Sequence, residues 1–156
     1  MRLTVVSALY RQRMLEAVAS ARLAVEHADV PVAALVLDAS GEVIGAGRNE
    51  RELRQDPTAH AEVLALRAAA EARGDWHLTD TTLVVTLEPC PMCAGAILAA
   101  RVGVVVFGAW DEKAGAAGSL YDILRDRRLP YRAEVYGGVE EEACAAPLLE
   151  FFRAQR

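Results

Sequence analysis

At 156 residues the chain is long enough to bury a core of its own and short enough for one domain. Its net charge of −5 excludes a surface that holds nucleic acid through a broad basic field, while leaving room for a local patch. Three cysteines are too few, and odd in number, for a disulfide framework, which points to a reducing, cytoplasmic setting; no stretch approaches the roughly 20 apolar residues of a membrane span.

Arg11 and Arg13 interrupt the mildly apolar start too early for a signal peptide. From there Leu9, Met14, Leu15, Val18, Leu23 and Val25 recur in an approximate 3.6-residue period, which predicts an amphipathic helix over 9–27, stopped by Asp29 and Pro31. Residues 32–37 and 43–47 are apolar runs around Asp38-Ala39-Ser40-Gly41-Glu42, a β-hairpin with a short loop. Residues 48–55 are polar and read as irregular. Asp56-Pro57-Thr58 supplies cap-forming side chains and a proline suited to a first turn, so a second helix is expected to run to about Arg73, closed by Gly74. A strand over 81–87 delivers the chain to Cys90, and Pro91 opens a third helix reaching about Arg101. Residues 102–108 are almost wholly apolar, as in a strand buried on both faces. Gly115-Ala116-Ala117-Gly118 makes a tight loop within 111–119, followed by a short helical piece near 120–125. Residues 133–136 form a final edge strand, and 140–154 a final helix that Pro147 is expected to kink or divide. The alternation implies an α/β domain over 1–156, a sheet sandwiched by helices, without repeat or linker.

The chemistry is concentrated in His60-Ala61-Glu62 and Pro89-Cys90-Pro91-Met92-Cys93. His60, Cys90 and Cys93 offer one imidazole and two thiols, all favoured by zinc. Structural zinc sites are closed by four protein ligands and catalytic ones keep a position for water, so a set of three points to chemistry. Cys90 and Cys93 project to one side of a helix start, where the dipole favours thiolate. Coordination lowers a water's pKa from about 15.7 to about 7, which makes a hydroxide nucleophile available at neutral pH. Glu62 is not needed as a ligand and can take that proton and return it. Positions 60 and 62 do not share a helical face, so Glu62 must approach along the helix end.

Each part alone has a plainer reading. A C-x-x-C pair also makes structural zinc half-sites or redox pairs, and a glutamate in a first turn also complements the helix dipole; the joint pattern carries the stronger meaning. Cys144 lies in a late Ala-rich stretch and fits a small buried residue better than a fourth ligand. Glu88 fits a role in local structure, and His27 and His77 have no partners at ligand spacing.

The H-x-E…P-C-x-x-C pattern resembles the signature of the zinc nucleobase deaminases, and the wider sequence is similar to the bacterial tRNA-specific adenosine deaminases. The resemblance covers most of the chain: Val30-Pro31-Val32, Asn49, Asp56-Pro57-Thr58-Ala59-His60-Ala61-Glu62, Thr86-Leu87-Glu88-Pro89-Cys90, Met92-Cys93-Ala94-Gly95-Ala96 and Val105-Val106-Phe107-Gly108. Gly115-Ala116-Ala117-Gly118-Ser119 and Phe151-Phe152-Arg153 point to the tRNA branch. The resemblance implies a cytidine deaminase-like three-layer α/β/α sandwich on a five-stranded mixed sheet. It also implies one zinc per subunit on His60, Cys90 and Cys93, and a homodimer in which both subunits hold the RNA. The implied reaction converts the wobble adenosine of a tRNA anticodon stem-loop to inosine, with Glu62 passing a proton to the ring nitrogen and then to the leaving amine.

Asn49 matches the asparagine that hydrogen-bonds the flipped purine, and Ala61 can offer its backbone to the base. Asp111, Lys113, Phe152 and Arg153 match positions along the RNA path; neither DNA nor a membrane is implied as a partner. Loop bases are held by stacking and edge hydrogen bonds, so a small pocket with an aromatic and a few arginines suffices. One of Phe151 and Phe152 is expected to pack in the core. Ala33 stands where relatives carry glycine and is expected to narrow a backbone approach near the pocket; Arg48 and Trp110 also depart from the pattern. A deaminase of free bases or nucleotides, guanine or pyrimidine, would share the metal core. A zinc-stabilised RNA-binding scaffold without turnover would have no use for Glu62.

Overall fold

The computed structural model describes residues 2–156, with side chains from Ala8 onward. Helix α1 (Arg2–Ala21) leads through a 3-10 turn (Arg22–His27) into strands β1 (Ala33–Leu37) and β2 (Val43–Arg48). There follow α2 (Arg51–Arg54), α3 (Ala61–Arg73), β3 (Thr82–Leu87), α4 (Pro91–Ala99), β4 (Val104–Ala109), a second 3-10 turn (Ile123–Arg125), β5 (Glu134–Tyr136) and α5 (Glu141–Ala154). The strands lie in the order β2-β1-β3-β4-β5, with β1 antiparallel to both neighbours and β3, β4 and β5 parallel. This is the five-stranded mixed sheet expected.

Period-two alternation sorts the strand side chains onto two covered faces. Ala34, Val36, Leu83, Val85, Val105 and Phe107 pack with Ala65 and Ala69 of α3 and Ile97 of α4. On the other face Ala33, Leu35, Leu37, Val84 and Val106 meet Met14, Ala17, Val18 and Ala21 of α1 and Cys144 of α5. Burying a side chain such as Met14 or Phe107, each at 0% exposure, contributes about 1.5–3 kcal/mol. Because β3 and β4 are parallel and in register at Leu87 and Ala109, both strands release the chain at the same end of the sheet. That carboxyl end is where open α/β sheets bind ligands.

The start of α3 is set by an unusually close contact with β2. A Cβ on Gly47 would lie 2.6 Å from the Ala61 carbonyl oxygen and 2.7 Å from the Ala65 nitrogen; one on Gly45 would lie 2.6 Å from both the Ala65 oxygen and the Ala69 nitrogen. The helix backbone therefore rests directly on the strand.

Several boundaries differ from expectation. The last residues of the first helix tighten into the 3-10 turn, which Ala28 closes in a left-handed conformation (φ 61). Residues 48–55 are not wholly irregular: α2 forms because Asp29, 1% exposed, accepts N–H bonds from Glu52 (2.7 Å) and Leu53 (3.1 Å). Asp56-Pro57-Thr58 does not cap α3. Asp56 Oδ1 instead accepts from the Thr58 N–H (2.8 Å) in a separate turn, and His60 is the N-cap. Pro147 does not divide α5, which runs through it unbroken. Its buried ring faces the Arg22–Val25 segment alongside Phe151, and an Arg22–Glu150 ion pair (3.0 Å) braces the same place. Among the described residues no helix is long and apolar enough to cross a membrane.

Candidate active site

Two helix starts converge at the carboxyl end of the sheet. His60 is the N-cap of α3 (φ −73, ψ 152) and Cys90 that of α4 (φ −75, ψ 172); Pro91 occupies the first turn, where its missing N–H costs no helix bond. Cys93, one turn on, is buried. His60 Nδ1 stands 3.5 Å from Cys93 Sγ and 3.6 Å from Cys90 Sγ. The three ligand atoms lie within 4.8 Å of one another, and no fourth such donor joins them among the described residues. Zn–S and Zn–N bonds of about 2.3 and 2.0 Å give a tetrahedral N···S edge of about 3.5 Å. The donors already have that spacing, so this set fits a zinc ion.

The two sulfurs divide one proton unequally. The Cys90 thiolate accepts a hydrogen bond from the Cys93 thiol and another from His60, which together bring its pKa down to about 4 against the cost of burial. The hydrogen bond to Cys90, burial and the nearby Glu62 hold the Cys93 thiol far above its ordinary range. A divalent cation takes the place of that shared proton and stabilises both as thiolates.

Beside these donors lies a cavity of about 170 Å³ lined by Asn49, Ala61, Glu62, Glu88 and Asp111 together with His60 and Cys90. Glu62 is only 4% exposed, and burial raises its carboxyl pKa despite a backbone hydrogen bond that favours the ion. It lines the same cavity as His60 and Cys90. Asn49 is held by two hydrogen bonds: Nδ2 donates to the Val30 carbonyl (3.2 Å), and Oδ1 accepts from the Arg51 N–H (3.2 Å). One amide hydrogen and one lone pair are left for a ligand.

The profile of the cytidine and deoxycytidylate deaminase zinc-binding region matches residues 8–109, which contain the metal-ligand trio and Glu62. The chain belongs to this zinc-binding deaminase family. It is 48% identical over 143 residues, 92% of this chain and 88% of the relative, to a tRNA-specific adenosine deaminase of Bacillus subtilis. A solved structure from a study of A-to-I editing by tRNA:A34 deaminases at the wobble position of transfer RNA superposes with a TM-score of 0.81 at 39% identity, covering 85% of this chain and 95% of that one. A guanine deaminase from Nitrosomonas europaea gives 0.77 at 27% identity, covering 90% of this chain and 83% of that one.

In this deaminase the wall formed by residues 111–119 lies beyond the matched region and is fastened by Glu88. Its Oε1 accepts from the Asp111 N–H (3.0 Å) and the Ser119 hydroxyl, and its Oε2 from the N–H groups of Ala117 and Ser119 (3.0 Å each). Burial opposes the charge, but these bonds together keep the carboxyl below its ordinary pKa. Glu88 thus shapes the cavity, as its sequence context suggested. Asp111 also lines an adjoining groove of about 610 Å³ with Lys113, Trp110 and Phe152. Phe151 is the buried phenylalanine at 8% exposure, and Phe152 lies 49% exposed. Arg153 lines neither the cavity nor the groove.

Ala33 packs on the α1 face of the sheet and does not narrow the cavity, contrary to expectation: strand alternation turns it away. Trp110 stacks edge-on against Phe107 (4.7 Å, 89°) at the edge of the groove. Cys144 is 1% exposed and fills the space beside Gly108, away from the ligands, and burial pushes its pKa up to about 12. His77 stacks on Trp76 and pairs with Asp75 far from the cavity. Two residues escaped the sequence reading. Asp29 looked only like a helix stop, and Arg51, which lines the cavity, sat in a polar stretch without a motif.

Proposed function

We propose that this chain is a single-domain, zinc-dependent adenosine deaminase of tRNA, acting in the cytoplasm as a homodimer with one zinc per subunit. It hydrolyses the wobble adenosine of an anticodon stem-loop to inosine. The observation that carries this reading is a buried carboxylate, Glu62, sharing one small cavity with a three-donor zinc set and the half-satisfied amide of Asn49. Its kinship with the Bacillus subtilis tRNA-specific adenosine deaminase selects the substrate class.

His60, Cys90 and Cys93 would hold the zinc. When bound, zinc supplies Lewis acidity that brings a water's pKa to about 7. Glu62 takes one proton from the attacking water and passes it to the purine ring nitrogen, then takes the second from the hydroxyl now bonded to the ring carbon and passes it to the exocyclic amine; the C–N bond breaks and ammonia leaves. The raised proton affinity of the buried carboxyl suits a base that must take a proton from water and hold it until the transfer. Asn49 orients the base through its spare donor and acceptor. The Ala61 N–H, one of the four at a helix start without an intrahelical partner, offers a further donor. The groove with Lys113 and Phe152 extends the cavity along the RNA, and three free thiols suit a reducing compartment.

Incubation with an anticodon stem-loop followed by sequencing tests this. Wild type converts the wobble adenosine to an A-to-G readout. Glu62→Gln retains zinc and loses about 10² to 10⁴ in rate. Turnover of free guanine or pyrimidines alone overturns the substrate assignment, and an active, zinc-loaded Glu62→Gln enzyme removes Glu62 from the mechanism.

A further inference from the structure

The cavity is lined by three carboxylates, Glu62, Glu88 and Asp111, and by one permanently cationic side chain, Arg51. Arg51 opens α2 and is exposed at the rim. It enters no ion pair among the described residues, because the neighbouring Glu50 is taken by Arg54 and the remaining pairs lie elsewhere. A guanidinium held without a partner beside three acids is available to a ligand.

Its position does not come from local sequence. A helix of four residues cannot sustain itself in water. Here the N–H groups of Glu52 and Leu53 both donate to the carboxylate of Asp29, which is 1% exposed. The Arg51 N–H donates to Asn49 Oδ1, and Asn49 Nδ2 to the Val30 carbonyl. These hydrogen bonds fix the amide facing the cavity and the backbone from which the Arg51 side chain extends.

We infer that Arg51 binds the RNA phosphate next to the nucleotide seated in the cavity, and that Asp29 is the positioning residue that holds it there. The inference rests on the deaminase reading above and adds the groups that grip the backbone. A flipped nucleotide brings its base towards Asn49 and Glu62 and leaves its phosphates at the mouth, where the Asp111 carboxylate repels them unless a cation intervenes. Arginine meets a phosphate with two parallel N–H donors. Lys113, beyond Asp111 on the adjoining groove, is the next cation along, so the backbone crosses the cavity from Arg51 towards Lys113.

The test is binding of a fluorescent anticodon stem-loop to the zinc-loaded Glu62→Gln protein, followed by anisotropy between about 50 and about 200 mM salt. Adding Arg51→Gln weakens binding about tenfold, the loss of one charge-assisted contact. It also makes the slope of log affinity against log salt shallower by about 0.7, the share of one single-strand phosphate. Arg51→Lys restores the slope. Asp29→Asn weakens binding comparably, yet adds less than about twofold once Arg51→Gln is present, because it acts through the same contact. An unchanged slope with Arg51→Gln, or fully additive losses in the double variant, overturns the inference. If Asp29→Asn lowers the melting temperature enough to unfold the protein, the Arg51 slope and its lysine rescue decide alone. Wild-type turnover separates the two readings. RNA binding with an Arg51-dependent slope but no inosine defeats only the reaction assigned above; inosine with an unchanged slope defeats only this inference; absence of RNA binding defeats both.

Discussion

Adding one methyl group at Gly47 should disturb the deaminase far more than its size suggests. The new Cβ would stand 2.6 Å from the Ala61 oxygen, 2.7 Å from the Ala65 nitrogen and 2.8 Å from the Leu64 Cβ, whereas ordinary contact begins near 3.4 Å. Two of those neighbours are backbone atoms, so no rotamer change relieves the clash. Either α3 retreats from β2 by about 0.8 Å or the strand bends out of its ladder with β1. Overpacking of this kind costs about 1–3 kcal/mol, which for a domain of this length lowers Tm by about 2–12 °C. The same retreat carries His60 and Glu62, because both stand at the start of α3. A misplacement of about 1 Å in a catalytic group can cost about 10² in rate. Calorimetry and single-turnover deamination at saturating zinc measure the two effects on the Gly47→Ala protein. Wild-type Tm would refute the tight contact; lowered Tm with wild-type rate would refute the claim that β2 sets the catalytic geometry.

Two further outcomes follow from the same architecture. Chelation of the metal abolishes turnover but leaves the far-ultraviolet circular dichroism of the folded chain, because the apolar clusters on both faces of the sheet contain none of the three donors; an unfolded apo protein would show the metal to be structural. Cys144→Ser retains its full zinc content and loses about 1–3 kcal/mol of stability, since the hydroxyl is buried and the Val139 carbonyl lies 3.9 Å from the present sulfur, too far for a full hydrogen bond. A fall in zinc content on that substitution would mean that Cys144 helps to hold the ion.

The carboxyl-end loops explain why some features were legible in the chain and others were not. Spacing and helix chemistry pointed to Cys90, Pro91 and Cys93 as a helix start, because Pro91 needs no N–H there and the two cysteines lie one turn apart. The apolar strand, expected over 102–108 and formed over Val104–Ala109, and the hairpin were equally readable, since apolar runs and turn residues act over a handful of positions. Polarity alone could not reveal α2, whose cap comes from Asp29. His60 was expected at the start of its helix and stands there, but local capping rules pointed to Asp56 and Thr58 as the caps, and these lie in a separate turn instead.

Sequence by itself thus determined the donor types, their spacing, and the two-faced character of the strands, all set by neighbours within a turn or two. Tertiary structure decided the rest. Asp29 reaches Glu52 across 23 positions, and Glu88 reaches Ser119 across 31, only because the sheet order brings those segments together. The same folding turned Ala33 away from the cavity, left Arg153 outside it and put Arg51 in its lining. A hydrogen bond or steric contact depends on distance in space, and at such separations along the chain no periodicity records it.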